Sequence, residues 1–276
     1  NIARSLNNLK GEITAKHIMA VSLQSAKRYQ ESLIMIKEIR DIYKKMDDKI
    51  EIIKNNNTAS MIYNAMGDYS NAIKLLDEEL EYYESNNKSF MAVMALYQKM
   101  EAILKQGKNL SDNDLDELYA KGINMSEGAD ADVVALNGLY TNMGLIKIVQ
   151  EDYNSALDIL LKSSQIGKEL VEIDDTAGSI CSSSAILITF CKKMLGRDIS
   201  KDLNDLEKRF KDDDINTIDA YYLYRVFDFE KGKKYLKEGL DTANDMKAHL
   251  EGKVLEEFCN AKYVTLISEE WDKINN

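Results

Sequence analysis

Apolar residues along this chain recur at spacings of three and four, in runs separated by short polar breaks. That spacing predicts amphipathic helices, each burying one face. Ile13, Ile18, Met19 and Leu23 make one stripe, and Leu33, Ile36, Ile39, Ile42 and Tyr43 make the next. Together they predict a helical hairpin over residues 12–46. A second is predicted over 49–85. Ala59, Ile62, Tyr63 and Met66 line its first helix, and Ile73, Leu76, Leu80 and Tyr83 its second. Gly67 lies between them, where glycine can take the left-handed conformation that closes a helix. Residues 90–104 and 115–123 predict a less regular third hairpin, with possible N-caps in 111–114. A polar loop at 126–132, holding Glu127, Gly128, Asp130 and Asp132, is either the longest loop or a seam at 124–132. The fourth hairpin covers 133–171. The fifth runs from about 174 through a turn at Gly196 to a charged helix over 200–209, ending in the acidic stretch 211–214. The sixth covers 218–243. A closing helix is predicted from about 246 to 273, where charged residues and Trp271 suit a cap.

The hairpins repeat one phrase. Tyr29, Tyr69 and Tyr153 each open an apolar helical run, the second one repeat after the first and the third two repeats further on. Phe229 takes the same slot later. Self-similarity at a period of roughly 40 residues in a helix-rich chain predicts a solenoid, in which each repeat buries its face against its neighbours. The 276 residues are therefore read as one continuous domain, 1–276. Proline is absent and there are 13 glycines, which argues for long helices joined by tight turns.

A net charge of −11 disfavours general binding to phosphate backbones. Lys231, Lys233, Lys234 and Lys237 form the densest basic patch and read as a solvated helix face. No apolar run approaches the ~20 residues of a membrane helix. Cys181 and Cys191 fall in one predicted helix, roughly 15 Å apart, too far to bridge, and Cys259 completes an odd set. Buried free thiols in a reducing, cytoplasmic setting are the simplest expectation. The chain begins at Asn1, so a longer protein and a periplasmic location stay open. His17 and His249 lie far apart, and no catalytic, phosphate-binding or metal-binding motif is present. The expectation is a non-enzyme without cofactor or metal.

The second and fourth hairpins resemble the tetratricopeptide repeat family. The resemblance is carried by Ser60, Tyr63, Gly67, Asp68, Tyr69, Ala72 and Leu76, and by Tyr140, Met143, Gly144, Asp152, Tyr153, Ala156 and Leu160. The first hairpin matches more loosely at Ala20, Leu23, Tyr29, Ser32 and Ile36. The period is longer than the family's usual ~34 residues, and the closing proline is missing. Glu79 stands where a small residue belongs. The longer period is similar to extended repeats in bacterial signalling and regulatory proteins and in kinesin light chains. The resemblance implies an all-α, right-handed α-α superhelix of about six hairpins plus a C-terminal capping helix.

It also implies a concave groove lined by the first helix of each hairpin. The groove-facing positions here include His17, Val21 and Gln24; Asn57, Met61 and Asn64; and Thr141, Leu145 and Ile148. Amides that bond a backbone, beside apolar residues that receive side chains, would suit an extended peptide. The basic-and-amide pattern with which some relatives clamp a partner's terminal carboxylate is missing. The expected function is protein or peptide binding by a regulatory or scaffolding domain. Peptide-pheromone receptors use the same superhelix, so the sensor part of a bacterial transcription or signalling regulator is one version. The alternative is a homo-oligomerising module, for instance a homodimer, without a peptide groove. Tyr221, Tyr222 and Tyr224 occupy several faces of one helix and read as sandwiched between hairpins.

Overall fold

The computed structural model describes residues 9–108, 110–127, 133–173, 182–210 and 215–275. These hold fourteen helices and no strand. In chain order they are α1 (Leu9–Ser25), α2 (Tyr29–Lys45), α3 (Lys49–Ala65), α4 (Tyr69–Ser85), α5 (Ser89–Gln106), α6 (Asp112–Glu127) and α7 (Val133–Val149). They continue as α8 (Tyr153–Ile173), α9 (Ser182–Met194), α10 (Ser200–Arg209), α11 (Thr217–Val226), α12 (Phe229–Lys247), α13 (Gly252–Cys259) and α14 (Lys262–Asn275). Successive antiparallel pairs stack into the right-handed superhelix that the repeats predict.

The regularity of the first half comes from its turns. Lys27, Asp47, Gly67, Asn87 and Gly107 all have positive φ, between 54° and 80°, and they are evenly spaced along the chain. After each of the first four, the next N–H returns to a carbonyl five residues back: Arg28 to Leu23, Asp48 to Tyr43, Asp68 to Tyr63, and Lys88 to Tyr83, at 2.8–3.0 Å. This bond satisfies carbonyls that a helix end leaves free. Asp48 and Asp68 also cap the next helix, accepting from the N–H of Glu51 and Asn71. The turns within and between hairpins are thus one device, and the hairpin period is two equal helix-and-turn units.

Beyond Gly107 the even spacing lapses, although the same turn returns at Glu151 and Gly196, where the Asp152 N–H bonds Lys147 and the Arg197 N–H bonds Lys192, both at 2.9 Å. A longer connection leads to α6, and α5 packs on α7 as well as on α6. The third hairpin is fuller than 90–104 and 115–123, filling 89–106 and 112–127. Part of the loop at 124–132, the start of the fifth hairpin near 174, Cys181 and the acidic stretch 211–214 lie outside the described residues. The predicted closing helix at 246–273 is corrected. α12 ends at Lys247, and α13 and α14 follow, with Gly252 at φ 57° marking the break.

These last helices run back along the turns of the first three hairpins. Lys27 pairs with Asp245, and Ser70 donates to Glu257 at 3.4 Å. Gly67 lies so near Phe258 that a Cβ would sit 2.4 Å from the ring, and Gly107 is equally close to Lys262. α14 packs on α5, α11 and α12. Tyr221 and Tyr222 are buried with Phe190 and Tyr263, ring centroids 4.9–6.0 Å apart. They form the sandwich that the sequence predicts.

Candidate functional site

The groove-facing positions divide by hairpin. In α1, His17 and Val21 are exposed and Gln24 is half-buried. In α3, Met61 is 49% exposed, and Asn57 and Asn64 are half-buried. In α7, Leu145 and Ile148 belong to the core, with 2% and 5% exposure. Leu145 and Ile148 therefore do not line an open groove. α7 is packed by α5, α6, α8 and α9, whereas the extensive packing of α1 is with α2.

One contact geometry recurs between the two helices of a hairpin, joining residues 22 apart at two adjacent repeat positions. Lys16 pairs with Glu38. Asn56 donates to Glu78 at 3.0 Å, and Asn57 donates to Glu79 at 3.1 Å. Thr141 and Ser163 share a hydrogen bond at 2.8 Å, and the Lys162 ammonium sits 6.0 Å over the Tyr140 ring. Asn57 and Thr141, both predicted groove residues, are therefore the inner ends of equivalent rungs. Asn57 reaches further, donating to Gln98 on α5 at 3.3 Å and tying hairpin two to hairpin three.

Glu79 is the residue that the helical periodicity does not flag. It is fully buried, and no basic side chain is among the groups acting on it. Burial pushes its carboxyl up to about 8, against the opposing pull of the Asn57 hydrogen bond. Among the described residues its Oε1 has no hydrogen-bond partner, and neither do the buried Oδ1 atoms of Asn56 and Asn64. The wall formed by α3 and α4 thus carries three buried side-chain oxygens without a partner among the described residues. The available signal is an acid at a small-residue position, one rung along from an asparagine. Gln98 and Ser163 carry no comparable mark.

Next to these amides, α1, α2 and α3 line a cavity of about 340 Å³ that includes His17, Ile18, Ile39, Tyr43, Lys54 and Thr58. Ile18, Val21 and Met61 add exposed apolar surface, at 61%, 48% and 49%. Cys191 is buried and its thiol is pushed up to about 12 by that burial, while Cys259 is exposed. Among the described residues no His, Cys, Asp and Glu group has a metal-site arrangement, and no helix is long and apolar enough to cross a membrane.

No protein-family model matches the chain, and no curated protein resembles it in sequence. Solved structures do share its fold. One is a Rap protein complexed with competence and sporulation factor, with TM-score 0.59 and 11% identity, covering 96% of this chain and 74% of that one. Another is the apo form of RapI, with TM-score 0.62 and 11% identity, covering 96% and 76%. The chain has the helical-repeat superhelix of Rap proteins.

Proposed function

We propose that this chain is a peptide- or protein-binding regulatory module, and that it binds through the open concave stretch of hairpins one and two. One observation carries the reading. At equivalent repeat positions, Val21 and Met61 stay exposed beside half-buried amides, in a fold that another protein presents in complex with competence and sporulation factor. The finer reading is a sensor part of a bacterial transcription or signalling regulator that acts by binding and not by catalysis. An extended peptide supplies N–H donors to Asn57 and Asn64 and apolar side chains to Met61 and the cavity beside His17.

An array of random hexapeptides tests this. Wild-type protein is expected to select sequences with apolar side chains, and the Val21→Asp/Met61→Asp variant to lose them. Identical selection by both would overturn the assignment. The exposed Ile18, Val21 and Met61 also favour a second reading, a homodimer through this face. Light scattering separates the two: a concentration-independent dimer that the double variant dissociates supports self-association.

A further inference from the structure

A second cavity lies elsewhere, on α8, α9 and α10. It measures about 670 Å³, within the ~300–1,000 Å³ of small-molecule sites. Lys192 on α9 donates to both carboxylate oxygens of Asp202 on α10, at 2.8 and 3.0 Å, which sets the register of these antiparallel helices. One turn along, Ile188 comes level with Leu206, and a further turn brings Ala185 level with Arg209. α8 runs antiparallel to α9 and carries Lys168 to that same level, with Leu161 at the opposite end. One end of the groove is therefore cationic on both walls. The other end holds a neutralised ion pair beside an exposed leucine.

Lys168 and Arg209 are exposed, and neither makes a hydrogen bond or ion pair with a described residue. Two cations without a partner among the described residues, around one cavity, stand out on a chain of net charge −11. Between the two ends run Ile188 and Leu206, both buried.

We propose that this groove binds a small amphiphilic carboxylate, its charged head between Lys168 and Arg209 and its hydrocarbon chain along Ile188, Leu206 and Leu161. Direction is set by charge. At the far end Lys192 is already paired with Asp202, and Asp205 on the α10 wall repels a head placed midway, which leaves the Lys168 end. From Lys168 to Leu161 the helix rises roughly 10 Å, which suits a medium-chain acid. The site is separate from the concave surface and does not depend on the peptide reading.

Octanoate is the probe, titrated calorimetrically into the full chain, with octylammonium as a counterpart of equal chain length. Wild type is expected to bind octanoate and not octylammonium. Lys168→Glu with Arg209→Glu should weaken octanoate by at least about tenfold, and Lys168→Gln with Arg209→Gln by less. Both positions are exposed, and circular dichroism checks that the helices remain. The Val21→Asp/Met61→Asp variant should bind octanoate as wild type does, so failure of the concave site would leave this result intact. Absence of octanoate binding, equal binding of octylammonium, or unchanged affinity in the charge-reversed protein would each overturn the proposal.

Discussion

Hairpins two and four carry the clearest repeats in this chain, yet their groove-facing positions have opposite fates. Met61 of hairpin two is half exposed, while its counterpart Leu145 of hairpin four is buried. The repeat fixes which way a side chain points. It does not fix what stands in front of it. α7 is surrounded by four helices, with α5 packing on it directly beside α6; α1 and α3 lie at the less crowded end. A concave surface in a solenoid is working surface only where the chain leaves it uncovered.

The largest test of this contrast is stability. Leu145→Ala should cost about 2–5 kcal/mol, the range for a core leucine that leaves a cavity. Met61→Ala should stay within about 0.5 kcal/mol. Urea midpoints at constant slope would measure both, and equal losses would erase the distinction between the hairpins.

The rungs sharpen the comparison through pH. Thr141 with Ser163 is a neutral rung, whereas Asn57 with Glu79 contains an acid raised to about 8. A raised carboxyl holds its proton more tightly in the folded state, so its contribution is complete at low pH. It is lost as pH rises from the ordinary carboxylate range through about 8. Asp219, raised to about 6 by burial, adds loss of the same sign that ends earlier. Stability should therefore fall between pH 5 and pH 8. Glu79→Gln should remove the part above pH 6 and stabilise the protein at pH 8 by on the order of 3 kcal/mol. A Gln variant with the wild-type slope would mean that Glu79 is ionised throughout.

Helix approach gives a smaller effect. A Cβ at Gly144 would lie 2.4 Å from Cγ of Leu160, so Gly144→Ala should cost roughly 1–3 kcal/mol as α7 and α8 move apart. At the matching position of hairpin two, Ser60 already carries a Cβ, and its hydroxyl donates to the Asn57 carbonyl at 2.8 Å. Ser60→Ala should cost about 1 kcal/mol. Denaturant unfolding of the two variants in parallel checks the order.

Much of the fold was legible because it is local. The tyrosines that begin α2, α4 and α8, and the phenylalanine that begins α12, are helix starts that sequence spacing reveals directly. Gly67 marks a turn by itself, but Lys27, Asp47 and Asn87 adopt the same conformation without glycine, so the single-helix unit was hidden inside the hairpin repeat. The site was half legible for a different reason. Whether Leu145 meets a ligand or a neighbouring helix depends on contacts with elements far along the chain. The return of α12, α13 and α14 across the first hairpins is equally non-local. No periodicity in residues 246–273 encodes Phe258 meeting Gly67.

That return supplies the smallest prediction. Lys27, Gly67 and Gly107 occupy the same turn position in successive hairpins, and each meets the C-terminal helices by different means: an ion pair with Asp245, a ring from Phe258, and the stem of Lys262. The ion pair is exposed on both sides, so salt screens it and little stability depends on it. Asp245→Ala should lower Tm by no more than about 3 °C in low salt, and by nothing measurable in molar salt. Gly67→Ala meets both a left-handed backbone and the Phe258 ring, so its loss should exceed that of Asp245→Ala and persist in salt. If the two variants instead lost the same stability, and salt abolished both losses, charge and not packing would hold the C-terminal helices against the hairpin turns.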